Sequence, residues 1–193
     1  MYKDLLKAIG TFVSFNAREK ELFQSAFTYR EVPRHVTLIR EGQVANELYF
    51  IKKGLLRLYY NKEGDYITAY FFREHLFAGS FESFLQSSPG IQYLETLEKS
   101  ELLVLTKEKL DELYETMPKI NILTRKIAEQ RFINAQQILS SFLLDSPEER
   151  YRKFIRQNSD LFLRIPHHLI ASYLGITPVS LSRIRKRLMD KDS

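Results

Sequence analysis

The residues best placed to do chemistry lie near the C-terminus, in Thr177-Pro178-Val179-Ser180-Leu181-Ser182-Arg183-Ile184-Arg185-Lys186-Arg187-Leu188. Apolar side chains at Leu181, Ile184 and Leu188 repeat at three and four, the spacing of one helix face. The opposite face carries Val179, Ser180, Ser182, Arg183, Lys186 and Arg187, with Arg185 to one side, and no acid occurs between Thr177 and Met189. Arginine can donate two parallel hydrogen bonds to guanine O6 and N7, and hydroxyls reach phosphates or base edges. The chemistry implied is recognition of nucleic acid.

Such a face needs a scaffold, and the preceding residues supply one. From His167, Ile170 and Leu174 sit four apart, Ala171 is small enough for two helices to approach closely, and Gly175 falls where a left-handed turn is needed. Thr177 before Pro178 predicts the start of the second helix: a threonine hydroxyl accepts from an orphan N–H, and proline at the first helical position has no N–H to lose. The pattern is that of a DNA-binding helix-turn-helix.

Charge separates this part from the rest. Residues 147–193 hold ten Lys and Arg against five Asp and Glu, whereas residues 1–146 hold nineteen of each. The whole net charge of +5 thus belongs to the C-terminal part, which suits a phosphate footprint there and another task elsewhere. With 44% hydrophobic residues in 193, the chain can bury one large core or two small ones. The absence of cysteine excludes disulfides, thiolate catalysis and iron–sulfur clusters. Apolar runs are short and the start, Met1-Tyr2-Lys3-Asp4, has no signal-peptide pattern, so a soluble cytoplasmic protein is expected.

Taken in order, residues 2–27 carry helical signals, with a cap expected at Asn16-Ala17-Arg18-Glu19. From Tyr29 to about Leu105 the texture changes to short β-branched and aromatic runs punctuated by Gly42, Gly54 and Gly64, as in a barrel or sandwich. Phe77 to Leu85 interrupts that rhythm with Gly79 and a short helix. Lys107 to Tyr114 predicts another helix, and Pro118 opens a long one reaching about Leu144. Roughly 27 residues at 1.5 Å each make about 40 Å, too long for one face of a small barrel to cover, so part of it is expected to pair with a second copy. Asp145-Ser146-Pro147-Glu148-Glu149 marks a helix stop and a capped restart. Leu161 to Ile165 suggests a short strand before the helix-turn-helix.

This order resembles the Crp/Fnr superfamily of bacterial transcription regulators. The resemblance covers essentially the whole chain and is most specific at 166–188 and from Leu38-Ile39-Arg40-Glu41-Gly42 to Lys53-Gly54-Leu55-Leu56-Arg57. It implies an α+β fold: a cyclic-nucleotide-binding-like β-roll with flanking helices over 1–117, a long dimerisation helix and hinge over 118–145, and a winged helix-turn-helix over 146–193. It also implies a homodimer placing two recognition helices in major grooves about 34 Å apart on an inverted repeat.

Two departures from the family bear on function. Cyclic-nucleotide-binding members follow the glycine of the short helix with a ribose-holding glutamate and later supply an arginine for the phosphate. Here Gly79 is followed by Ser80 and Phe81, the arginine position falls at about Gly90, and no Lys or Arg occurs from His75 to Glu98. A buried phosphodiester without a cation is costly, so control by cyclic AMP through those contacts is not expected. Tyr70, Gly79, Ser80, Phe81, Glu82 and Tyr93 remain the effector-pocket candidates, Glu82 being the one substitute for the missing glutamate. Either the interior is closed by its own aromatics or it takes an apolar or neutral effector. Haem at His35 or His75 has no supporting pattern.

The second departure is at the start of the recognition helix, where Pro178-Val179 replaces the charged pair of many members. By resemblance Arg183 is the guanine reader. Val179 suits a thymine methyl, Ser180 and Ser182 suit bases or phosphates, and Thr177 combines capping with a phosphate contact. Arg185 and Lys186 suit phosphates, and His167 suits the backbone from the first helix. The expected partners are double-stranded DNA, a second copy of the chain and RNA polymerase, with the effector unidentified or absent and no cofactor, metal or membrane. The competing reading is an interaction module whose basic tail meets a protein or membrane. No enzyme is expected, because His75, Glu82, Glu95 and Glu98 lack the spacing of metal or nucleophile chemistry.

Overall fold

A computed structural model describes residues 1–189; residues 190–193, the end of the expected C-terminal segment, lie outside the described part. In chain order the elements are α1 (Lys3–Ile9), α2 (Ala17–Ser25), β1 (Phe27–Val32), β2 (Thr37–Ile39), β3 (Glu47–Lys53), β4 (Leu56–Lys62), β5 (Asp65–Phe72), β6 (Phe77–Ala78), α3 (Phe81–Gln86), β7 (Gln92–Thr96), β8 (Ser100–Thr106), α4 (Lys107–Thr116), α5 (Lys119–Leu144), α6 (Pro147–Gln157), α7 (Ser159–Phe162), α8 (His167–Tyr173) and α9 (Pro178–Met189). They fall into two compact units: residues 1–61 with 69–129, and residues 62–68 with 130 onward.

Two four-stranded sheets, ordered β1-β8-β3-β6 and β2-β7-β4-β5, form the roll, all of it in the first unit except the β4–β5 turn and the first half of β5. β8 is central to the first sheet, antiparallel to β1 from Phe27↔Leu105 to Val32↔Ser100 and to β3 from Glu47↔Thr106 to Lys53↔Glu101. Leu48, Tyr49, Phe50 and Ile51 are all buried, as are Leu102 to Leu105. That continuous burial, in place of alternation, means both faces are covered. Leu5 and Ile9 of α1, Phe23 of α2, Leu110 and Leu113 of α4, and Ile120 and Leu123 of α5 join the same core. Gly54 fixes the β3–β4 turn at φ +111°, and a Cβ there would lie 2.3 Å from Ser100 Oγ, so only glycine fits.

Asn16 opens α2 and Ser146 opens α6 with reciprocal capping boxes to Glu19 and Glu149, with Pro147 at the start of α6. α5 runs 26 residues, yet only Ile120 and Leu123 of it are buried. Phe132, Ile133, Leu139, Phe142, Leu143 and Leu144 are exposed.

One expected element takes a different form. Leu161 to Ile165 is not a strand: Ser159–Phe162 is helical, Leu163 closes it in the right-handed region, and Arg164 N and Ile165 N donate back to Leu161 O. Among the described residues no strand follows Thr106, so the C-terminal helices stand without strands that would form a wing. The run is mostly apolar and fits a strand by composition, but Leu161 and Ile165 are four apart and both buried, which is a helical face.

Candidate nucleic-acid interface

Within the second unit α8 and α9 form the helix-turn-helix. Leu169, Ile170, Ala171 and Leu174 of the first half and Leu181 and Ile184 of the second are buried, as are Tyr151 and Phe154 of α6. The turn is a Schellman motif: Ile176 N donates to Ala171 O and Gly175 N to Ser172 O, each at 3.0 Å, with Gly175 at φ +66°. A Cβ on Gly175 would also lie 2.8 Å from Phe142 Cε1. Arg150 fastens this corner, donating to Leu174 O (3.0 Å) and Asp145 O (2.8 Å) while its guanidinium lies 5.0 Å from the Phe142 ring centroid. Ser172 Oγ accepts from Thr68 N (2.9 Å) and donates to Tyr66 O (3.1 Å), which ties residues 62–68 to α8. Neither Arg150 nor Ser172 stood out in the sequence, because their partners are backbone groups that no spacing rule points to.

At the head of α9, Thr177 Oγ1 accepts from Ser180 N (3.1 Å) and donates to Ser180 Oγ (3.0 Å). Thr177 therefore caps the helix as expected, and the Ser180 hydroxyl is already engaged. Val179 (61% exposed), Ser182, Arg183 and Lys186 share the outer face, stepping by three and four. Arg183 is exposed and makes no hydrogen bond or ion pair with another described residue.

The structure places Arg185 and His167 differently from the outer face. Arg185 Nη1 lies 3.0 Å from His167 Nδ1, its guanidinium sits 5.1 Å from the Phe162 centroid, and its Nε is buried with no hydrogen-bond partner among the described residues. His167 also stacks on Phe162 at 5.2 Å. Burial pushes the Tyr151 phenol up, and Arg185 beside it pulls the other way. Arg185 and His167, through each other and Phe162, brace α9 against α7 and α8. Arg187 pairs with Glu148 at 2.5 Å. Asp145 is held below the usual carboxylate range by Lys153 (2.6 Å) and by the Ser141 hydroxyl.

The effector-pocket candidates of the first unit do not all meet. Ser80 is buried and donates to Gln92 Oε1 (2.7 Å), and Gln92 Nε2 donates to Tyr60 OH (2.7 Å). Ser83 accepts from Ala45 N (2.9 Å) and donates to Ser88 O (2.5 Å). Gly90 lies against both serines: a Cβ there would be 3.0 Å from Ser83 Cβ and 3.2 Å from Ser80 Oγ. Gly79 abuts Leu48, leaving 2.7 Å for a Cβ. Tyr93 points to the other face from Gln92, stacking on Tyr59 at 5.0 Å and 10°. Tyr70 lies against Phe72 at 4.7 Å, Glu82 is exposed, and Phe81 lines an apolar cavity on the helix side of the roll.

Sequence reasoning overlooked Arg57, a cation 6% exposed within β4. It faces its register partner Glu95 at 3.0 Å and lies 4.4 Å from the Tyr59 centroid, on the face opposite Leu58 and Leu94. Its charge is matched there by Glu95. Among the described residues no group of three or more His, Asp or Glu is placed to hold a metal, and no helix is long and apolar enough to cross a membrane.

Comparison with known proteins bears on the fold of both units. The model of the cyclic nucleotide-binding domain matches residues 29–117. The anaerobic regulatory protein of Bacillus subtilis (strain 168) is 33% identical over 92 residues, 47% of this chain and 39% of that protein's length. The c-di-GMP responsive global regulator CLP of Xanthomonas campestris superposes with a TM-score of 0.72 at 20% identity, over 92% of this chain and 93% of that one. A transcriptional regulator of the crp/fnr family from Eubacterium rectale does so with a TM-score of 0.70 at 18% identity, over 92% of this chain and 85% of that one. At such identities the structural likeness is one of fold. The chain thus matches the cyclic nucleotide-binding domain over residues 29–117 and shares the fold of crp/fnr-family regulators.

Proposed function

We propose that this protein is a sequence-specific DNA-binding transcription regulator that acts as a homodimer on an inverted repeat and is not controlled by cyclic AMP. The observation that carries this reading is the outer face of α9, where Val179, Ser182, Arg183 and Lys186 are exposed over the buried Leu181 and Ile184. A short rigid helix with two cations, a hydroxyl and a small apolar group, and no acid, suits base edges and phosphates in a major groove. Arg183 is assigned to guanine, Val179 to a thymine methyl, Ser182 to bases or phosphates, Lys186 to phosphates, and Thr177 to the nearby backbone. Arg185 and His167 act by positioning α9.

The apolar side of α5 supports the dimer, since Phe132 (65% exposed) and Leu139 (51%) would otherwise face water. Two copies related by a two-fold axis present two identical helices, which makes the target an inverted repeat. The Ser80–Gln92–Tyr60 hydrogen-bond chain, with Gly90 where an arginine would be needed, supports the absence of cyclic AMP control. Selection of bound fragments from random DNA, followed by footprinting, tests the reading. An inverted repeat protected over two successive grooves, with affinity falling steeply as salt rises, is expected. Binding with no preferred sequence, or a single half-site bound by a monomer, would overturn it.

A further inference from the structure

The first unit contains a half-open cavity of about 90 Å³. Phe81, Phe84 and Leu85 of α3 form one wall, and Ile120, Leu123, Thr124, Ile127 and Ala128 of α5 form another. Phe23, Phe27, Leu48, Phe77 and Leu105 form the floor, closed by Leu110 and Tyr114 of α4. Its polar lining is almost nil. The Thr124 hydroxyl, which reaches the wall, is already donated to Ile120 O at 2.9 Å.

We propose that this cavity is a binding site for a small uncharged apolar molecule of about one aromatic ring. An apolar cavity with no free hydrogen-bonding group stays dry, and one of about 150 Å³ lined by Leu, Ile and Phe admits benzene. Here the closed volume is smaller, but the open side beside Leu85 and Ala128, both exposed, lets the edge of a ring project into water. A charged or strongly polar ligand would lose its hydration and find nothing to bond. A peptide segment is too large for a space of one side chain's volume. The aromatic lining offers edge-to-face contacts, as Phe50 already makes with Phe77 at 5.2 Å. Because the walls belong to α3 and α5, an occupant bridges the end of the roll to the start of the long helix and stabilises whichever state keeps them together.

The proposal does not depend on DNA binding, and its test is made on the full chain without DNA. Benzene is titrated while thermal unfolding and the methyl NMR signals of Leu48, Leu105, Leu110 and Leu123 are followed. A saturable rise in melting temperature, on the order of 3 °C at ten times Kd, is expected, with shifts confined to those methyls. Thr124→Leu, which puts carbon into the space, and Ala128→Phe, which covers the mouth, should each fold and weaken benzene binding at least tenfold. No saturable shift in the native chain, or undiminished binding in both variants, would overturn the proposal. So would benzene binding that emerges only on dilution, because a second copy of the chain would then be the occupant.

Discussion

Arg183 and Lys186 sit one turn apart on the same exposed face, and the proposed reading gives them separable roles. Arg183→Ala should cost about 1–3 kcal/mol of binding and relax preference at a single base pair. Lys186→Ala should weaken binding to all sequences alike and reduce the salt slope by about 1, read from affinities at several salt concentrations. Arg185 tests the opposite role. Its guanidinium bonds His167 and covers Phe162, so Arg185→Ala should destabilise the C-terminal unit by about 1–3 kcal/mol, and Arg185→Lys should recover little because an ammonium lacks the planar fork. Hydrogen exchange of α8 and α9 is the readout, and unchanged protection in the alanine variant would show that the pair does not brace the helix. Spacing placed Arg185 at the edge of the outer face. Its turn inward follows from Phe162 and His167, which come from other elements.

Elements differ in how far local chemistry decides them. The capping boxes at Asn16 and Ser146 and the Schellman turn at Gly175 are short-range devices, and each is legible as residue types a few positions apart. Leu161 to Ile165 is the contrary case, since five mostly apolar residues fit either period and burial of Leu161 and Ile165 together selects the helix. α5 is a third case: its 26 residues at 1.5 Å each make about 39 Å, with an apolar side that its own chain leaves exposed. Leu139→Glu should therefore shift the protein toward monomer by at least tenfold in dissociation constant without changing its helix content, measured by analytical ultracentrifugation alongside circular dichroism. An unchanged oligomeric state would remove that stretch from the proposed interface.

Over the whole molecule, the net positive charge is confined to the C-terminal part, where the proposed reading puts phosphate contact. Within the roll, Arg30 holds the Glu47 carboxyl below the usual range through bonds of 2.7 and 2.8 Å, against the opposing effect of burial. A depressed folded value contributes stability that is present above the unfolded glutamate value of about 4.3 and lost as pH falls through the lowered folded one. Glu47→Gln should thus lower the urea midpoint at pH 7 and flatten its fall on acidification; an equal fall in both proteins would assign the acid sensitivity elsewhere. On the proposed reading, cyclic AMP at millimolar concentration should leave the melting temperature unchanged, because Ser80, Gln92 and Tyr60 bond one another and no Lys or Arg occurs from His75 to Glu98. A saturable rise would show that the chain opens to admit it.

By itself the sequence determined the local devices: helix caps, turn glycines, the spacing of apolar faces, the concentration of positive charge and the lack of any cation from His75 to Glu98. These rest on residues a few positions apart, where backbone geometry alone decides which side chains share a face. Only the tertiary structure decided which polar groups satisfy each other across distant elements, as with Ser80 and Gln92, Arg57 and Glu95, or Arg185 and His167. The cavity between α3 and α5 belongs to that second class, because packing leaves voids according to the shapes of side chains brought together from far along the chain.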